Sequence, residues 1–176
     1  MDSMYGLLTR DSFRSTADLA AEMALKNPKY YTELIYLARF SDSPLNWRAL
    51  RCVELCDIQN PKLILPYINF LAREFPLYTI DGQNRILPKI FSNHIEDLND
   101  EFLGAVVDKC FTLLLNPKNA IAVLVNAMQF LFDLSQFYHD LKPELFAVVQ
   151  QIYTEKGNSA AIKIRAKKIL RNLETK

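Results

Sequence analysis

An all-α chain of repeated helical hairpins is the fold that this sequence predicts, and three observations carry the prediction. Apolar residues recur at the helical period from one end to the other, and no stretch alternates apolar with polar as a half-buried strand does. Only 4 Gly occur in 176 residues, too few for a turn-rich β fold or a Gly-rich phosphate loop. Residues of matching character also return in phase at a fixed step of 39 positions. The composition, 50% hydrophobic and 23% charged, is that of a globular chain. Folding at this length buries roughly 70% of the unfolded surface, so the core needs no disulfide or metal.

The elements follow from local signals. A first helix is predicted over 14–26, with Leu19, Met23 and neighbouring Ala on one side, and Asn27-Pro28 stops it because Pro pushes the preceding residue out of the α region. Pro28 suits the first turn of the next helix, over 29–40, which buries Leu34, Ile35, Leu37 and Ala38. Ser41-Asp42-Ser43-Pro44 supplies a turn and a cap for a helix over 44–57. Asn60-Pro61 opens a helix over 61–74 with Pro76 beyond its end, and Asp81-Gly82 precedes one over 82–95. Asn99-Asp100 caps 100–115, and Asn116-Pro117 breaks the chain before 118–138. Asp140 and Pro143 begin a helix over 141–155, Gly157 ends it, and Ser159 opens the last, over 159–174.

The repeat shows when these helices are aligned. Ala49, Pro88, Ala127 and Ala166 stand 39 residues apart; three positions on come Cys52, Phe91, Phe130 and Ile169. Four on are Val53, Ser92, Leu131 and Leu170, and seven on are Cys56, Ile95, Leu134 and Leu173. That is the i, i+3, i+4, i+7 face of a buried helix, recurring four times, with Pro88 and Ser92 its weakest members. The helices before these keep the same step in the column Tyr36, Phe75, Leu114, Tyr153.

These residues resemble the HEAT/armadillo class of α-solenoids. The best local match is Leu37-Ala38-Arg39-Phe40-Ser41-Asp42-Ser43-Pro44 running into Trp47-Arg48-Ala49-Leu50, a first helix, an Asp-and-Pro turn and an Arg-bearing second helix. Ile164-Arg165-Ala166-Lys167-Lys168-Ile169-Leu170 echoes it, whereas Asn84 and Arg85 replace the pattern in the second repeat and Val125-Asn126-Ala127 in the third. The resemblance spans roughly 28–174. It implies one solenoid domain over 1–176, with 1–27 as a helical cap and about four antiparallel hairpins over 28–174. The 39-residue step is slightly short for HEAT, which leaves a HEAT-like variant or a more general helical repeat open. Second helices of such hairpins would line a concave surface, and the usual use of that surface is protein binding.

Charge is balanced overall, 21 Lys and Arg against 20 Asp and Glu, but unevenly placed. Residues 155–176 hold seven bases (Lys156, Lys163, Arg165, Lys167, Lys168, Arg171, Lys176) against Glu155 and Glu174. This is either a solvated helix face or a basic docking surface for an acidic partner. Cys52, Cys56 and Cys110 form no even disulfide framework and read as structural thiols in a reducing compartment. His94 and His139 match no zinc spacing. No signal-peptide pattern opens the sequence, and the most hydrophobic stretch, 120–132, which includes Asn126 and Gln129, is too short to span a bilayer; a cytoplasmic chain without a membrane partner is expected.

The candidate partner-binding residues are Arg48, Arg51, Asn126, Gln129, Arg165 and Lys168, which fall away from the apolar columns on three second helices. They form a polar, partly basic stripe for an acidic peptide or phosphate, or else ordinary solvated positions, with Arg48 bonded to Asp42 or a nearby carbonyl. Trp47 heads the column Ile86, Val125, Ile164, which reads as packing between repeats, the alternative being an aromatic anchor for a partner. Asp97, Asp100 and Glu101 suit a helix N-terminus, and His94 and His139 suit helix ends. No catalytic residue, metal ligand or cofactor motif is recognised. The expected function is therefore a non-enzymatic scaffold that binds another protein on its concave or C-terminal basic surface. A HEAT-like grip on a nucleic-acid backbone is disfavoured by the near-neutral charge. A helical enzyme of unrecognised type is the third possibility, and association with a second copy is compatible with exposed apolar columns.

Overall fold

Ser3 accepts a hydrogen bond from the Gly6 amide at 3.0 Å and starts a short helix, α1 (Met4–Arg10), that the periodicity does not predict. Met4, Leu7 and Leu8 are its buried side, a pattern too brief to read in a longer window. The computed structural model describes residues 3–116, 118–157 and 159–174. Pro117, read above as a helix breaker, and Lys176, counted among the C-terminal bases, lie outside the described residues. Nine further helices follow among those described: α2 (Arg14–Lys26), α3 (Pro28–Phe40), α4 (Leu45–Gln59), α5 (Ile68–Glu74), α6 (Asp81–Asn93), α7 (Asp100–Leu115), α8 (Ile121–Leu134), α9 (Lys142–Lys156) and α10 (Ala160–Glu174). No strand occurs among the described residues, so the all-α helical-repeat reading holds.

The caps act as their residue types dictate. Asn27 Oδ1 accepts from the Lys29 amide at 3.0 Å, with Pro28 in the first turn, and Asn99 Oδ1 accepts from the Glu101 amide at 2.9 Å. Asp100 and Glu101 then place negative charge at the positive end of α7.

Two helices differ from expectation for identifiable reasons. The helix expected over 61–74 is a 3-10 turn at Pro61–Leu63 and the separate α5, because Pro66 lacks an amide hydrogen and clashes with the preceding turn. The helix expected over 118–138 is shorter at both ends. Asn116 Oδ1 takes the Lys118 amide in a local turn at one end. At the other, Ser135 Oγ and Gln136 Nε2 both donate back to the Phe132 carbonyl, competing with the helical ladder.

Contacts divide the chain into two compact units, one up to Asn69 and one from Phe70 onward, with the division inside α5. In the first, α2 and α3 pack on α4, whose Ala49, Cys52, Val53 and Cys56 have no exposed surface. In the second, α8 is the hub on which α6, α7, α9 and α10 pack. The Ala49 and Cys52 columns lie in the core: Phe91, Phe130, Ala127 and Ala166 are fully buried and Ile169 is 1% exposed. Phe75, Phe91 and Phe130 continue edge to face through the second unit, with centroids 5.5 and 6.0 Å apart.

Two columns include members that are more than half exposed. Tyr36 is 60% exposed and stacks on Phe40 at 4.9 Å, whereas its repeat mates Phe75 and Leu114 are buried. Ile164 is 72% exposed, although its counterpart Ile86 is 2% exposed. Ile86 lies on α6, over which α8 packs, whereas α10 packs on α8 and α9 with Ile164 left outside that contact.

Candidate functional site

The six residues of the expected polar stripe divide between the two units. Arg48 and Arg51 lie in the first. Arg48 Nη1 donates to the Leu8 carbonyl at 2.9 Å and so closes the C-terminal end of α1, and its guanidinium lies 5.9 Å from the half-buried Trp47 ring. Arg51 Nη1 meets Glu54 Oε2 at 2.5 Å, one turn along α4, where Glu54 is buried to 4% exposure. Both arginines thus answer local needs of their own unit, a helix end and a buried carboxylate.

Asn126, Gln129, Arg165 and Lys168 lie in the second unit. Asn126 Nδ2 donates to the Arg85 carbonyl at 2.7 Å and ties α8 to α6. Arg165 on α10 donates to Gln129 Oε1, and Gln129 Nε2 donates to Asp133 Oδ1 at 2.5 Å. Burial pushes the Asp133 carboxyl above the ordinary range, and the Gln129 hydrogen bond with the positive charges of Arg165 and Lys168 opposes that shift. Asn126, Gln129 and Arg165 therefore join neighbouring second helices, and Lys168 remains exposed on α10.

What α10 presents outward follows from how it is held. Its sequence is rich in Ala, Lys, Arg and Leu, residues that favour helix. Ile162, Ala166 and Ile169, spaced i, i+4, i+7, are its buried stripe and dock it on α8 and α9. The rest of its surface carries Lys163, Ile164, Lys167, Lys168 and Arg171, all exposed. Ile164, Lys167 and Lys168 are three and four residues apart and share one helix face, so a large apolar side chain stands among cations. Lys163, Ile164 and Lys167 are absent from the stripe that the sequence suggested. The excess of bases after residue 155 was the signal for the lysines, while column arithmetic had placed Ile164 inside.

The two histidines make local contacts, and the three cysteines are buried. His94 closes α6, its ring Nδ1 lying 3.1 Å from Asp97 Oδ2, and His139 Nε2 lies 3.1 Å from the Gln136 carbonyl. Cys52, Cys56 and Cys110 are free and buried. Desolvation pushes the Cys56 thiol up to about 11 and the Cys52 thiol up to about 12, and raises that of Cys110 as well. Among the described residues no group of three or more His, Cys, Asp or Glu is arranged to hold a metal ion, and no helix is long and apolar enough to cross a membrane.

Comparison with known proteins gives a fold-level result. The family profile described as a HEAT repeat domain matches residues 6–173. No curated protein matches the chain. Among solved structures it is similar to a crystal structure of an engineered protein, at 16% identity and a TM-score of 0.49, over 99% of this chain and 98% of that one.

Proposed function

We propose, for a chain that belongs to the HEAT repeat domain family, a protein-docking module in the cytoplasm whose contact face is the outer side of α10. HEAT repeats in general mediate protein interactions, and the specific reading rests on one observation: Ile164, 72% exposed, stands on the same helix face as Lys167 and Lys168. Covering an isoleucine side chain is worth about 1.5–3 kcal/mol, and the lysines around it steer and orient an acidic partner. The helix itself needs no rearrangement, because Ile162, Ala166 and Ile169 already hold it.

The fitting partner is an acidic protein segment that carries an apolar residue. A nucleic-acid backbone would use the lysines and leave Ile164 uncovered. Capture from nuclease-treated native lysate with the wild-type chain and with Lys167→Glu/Lys168→Glu tests the reading. A protein recovered by the wild type, resistant to nuclease and lost with the charge reversal, supports it. Recovery that disappears with nuclease would replace it by backbone binding, which should also weaken steeply with salt. Equal recovery by both chains would remove α10 as the contact face.

A further inference from the structure

The second unit also carries a surface opposite in charge to α10. An open groove of about 600 Å³ lies between α7 and the connection from α8 to α9. Leu103, Gly104 and Val107 line its α7 side, and Phe137 and Tyr138, 57% and 44% exposed, line the other. A Cβ placed on Gly104 would meet no atom within 4 Å, so the middle of α7 opens into the groove with no side chain filling it. Asp100, Asp108 and Asp140 stand around this apolar lining. Tyr138 donates its hydroxyl to Asp100 Oδ1 at 2.8 Å, which holds the ring at the groove's edge. The stretch 95–108 contains Glu96, Asp97, Asp100, Glu101 and Asp108, and no Lys or Arg.

We infer that α10 of one molecule docks in the α7 groove of a second copy, with Ile164 against the apolar lining and Lys167 and Lys168 toward the aspartates. The inference takes the α10 docking face as its starting point and names an occupant for the groove. Charge complementarity carries it. A chain of net charge only +1 concentrates bases on α10 and acids around the groove, so two copies attract through unlike surfaces against little net repulsion. The apolar parts match as well, one exposed isoleucine against an aromatic wall and an unfilled glycine. The molecule's own α10 does not supply the occupant, since its apolar stripe is buried on α8 and α9. Such a contact is head to tail, and it extends into chains or closes into rings.

Sedimentation velocity of the full chain over a wide concentration range, at low and moderate salt, tests the inference. The variants are Lys167→Glu/Lys168→Glu on α10 and Asp108→Lys/Asp140→Lys at the groove, with circular dichroism melts to confirm folding. Gly104→Leu is a third variant, which fills the groove at a position open enough to accept a side chain. The wild type should associate, more weakly as salt rises, and each variant should weaken association about tenfold or more. Mixing Lys167→Glu/Lys168→Glu with Gly104→Leu should give a 1:1 dimer that grows no further, since one intact α10 then meets one intact groove, while the acidic α10 faces a groove that is filled and still acidic.

A wild type that stays monomeric throughout overturns the inference, as does association untouched by the groove variants or a mixture that forms no dimer. Binding of a poly-glutamate peptide to the wild type and to Lys167→Glu/Lys168→Glu separates this failure from failure of the α10 reading. A monomeric wild type that binds the peptide through its lysines rejects the second copy and keeps the α10 face. A wild type that neither associates nor binds the peptide rejects both.

Discussion

Phe91 and Phe130 stand 39 residues apart in the chain and touch in the core, their ring centroids 6.0 Å apart with the planes inclined at 61°. The sequence repeat is thereby also a packing contact: equivalent positions on successive second helices meet each other. Both rings are fully buried, and Phe75 also packs on Phe91, with centroids 5.5 Å apart. Truncation of Phe130 to Ala should destabilise the chain by about 3–5 kcal/mol, and Phe130→Leu by clearly less. Denaturant unfolding measures both. A double-mutant cycle with Phe91→Ala should show coupling of about 0.5–1.5 kcal/mol beyond the separate losses.

Gly104 stands inside α7 with open space where a side chain would go. Glycine is less favourable than alanine in a helix interior by about 1 kcal/mol, and here no neighbour opposes the added methyl. Gly104→Ala should therefore raise stability by about 0.5–1 kcal/mol, read as a higher denaturant midpoint with an unchanged slope.

Arg48 reaches from α4 to the Leu8 carbonyl at the end of α1. Arg48→Ala should loosen α1 more than the rest of its unit, at a cost of about 1–3 kcal/mol for a charge-assisted bond. Hydrogen exchange resolved along the chain checks this: the amides of Met4–Arg10 should exchange faster while those of α4 hold.

The buried thiols predict a pH dependence. Burial raises the Cys56 and Cys52 pKa values to about 11 and about 12 from an ordinary 9.0. Between those limits the unfolded chain loses thiol protons that the folded chain keeps, so the unfolded state binds fewer protons and stability falls as pH rises. The thiols' contribution is intact below about pH 9 and is lost progressively up to about 12. Denaturation midpoints measured from neutral to alkaline pH should fall, and Cys52→Ser/Cys56→Ser should flatten that part of the profile. At pH 8 the native chain should resist a thiol reagent that labels all three cysteines in denaturant.

Much of the fold was legible because its signals are local or periodic. Asn27-Pro28 and Asn99-Asp100 set their helix starts by capping chemistry, and the column Cys52, Phe91, Phe130, Ile169 is the buried core seen as arithmetic. Pro66 lies inside an apolar run that hides its effect from the periodicity, yet its missing donor breaks the helix there, whereas Pro88 stays buried within α6. The surfaces were less legible because exposure depends on what packs next. Ile164 shares a column with Ile86, yet one is 72% exposed and the other 2%. The groove arises where α8 stops at Leu134 and turns Phe137 and Tyr138 outward, an end decided by the back-bonding of Ser135 and Gln136 to Phe132. Arg48, Arg51 and Asn126 look alike in sequence, yet each bonds to a different group in its own unit.

The most direct measurement is the affinity of a captured partner for the wild type and for Ile164→Ala. The substitution leaves every charge in place and removes a side chain that is 72% exposed, so the melting temperature should not move. An apolar anchor at a docking centre costs about 1–2 kcal/mol when truncated, which is roughly a fivefold to thirtyfold loss of affinity. A loss of that size at unchanged stability is the result this account predicts. Wild-type affinity in Ile164→Ala, together with wild-type affinity in Lys167→Glu/Lys168→Glu, would contradict it.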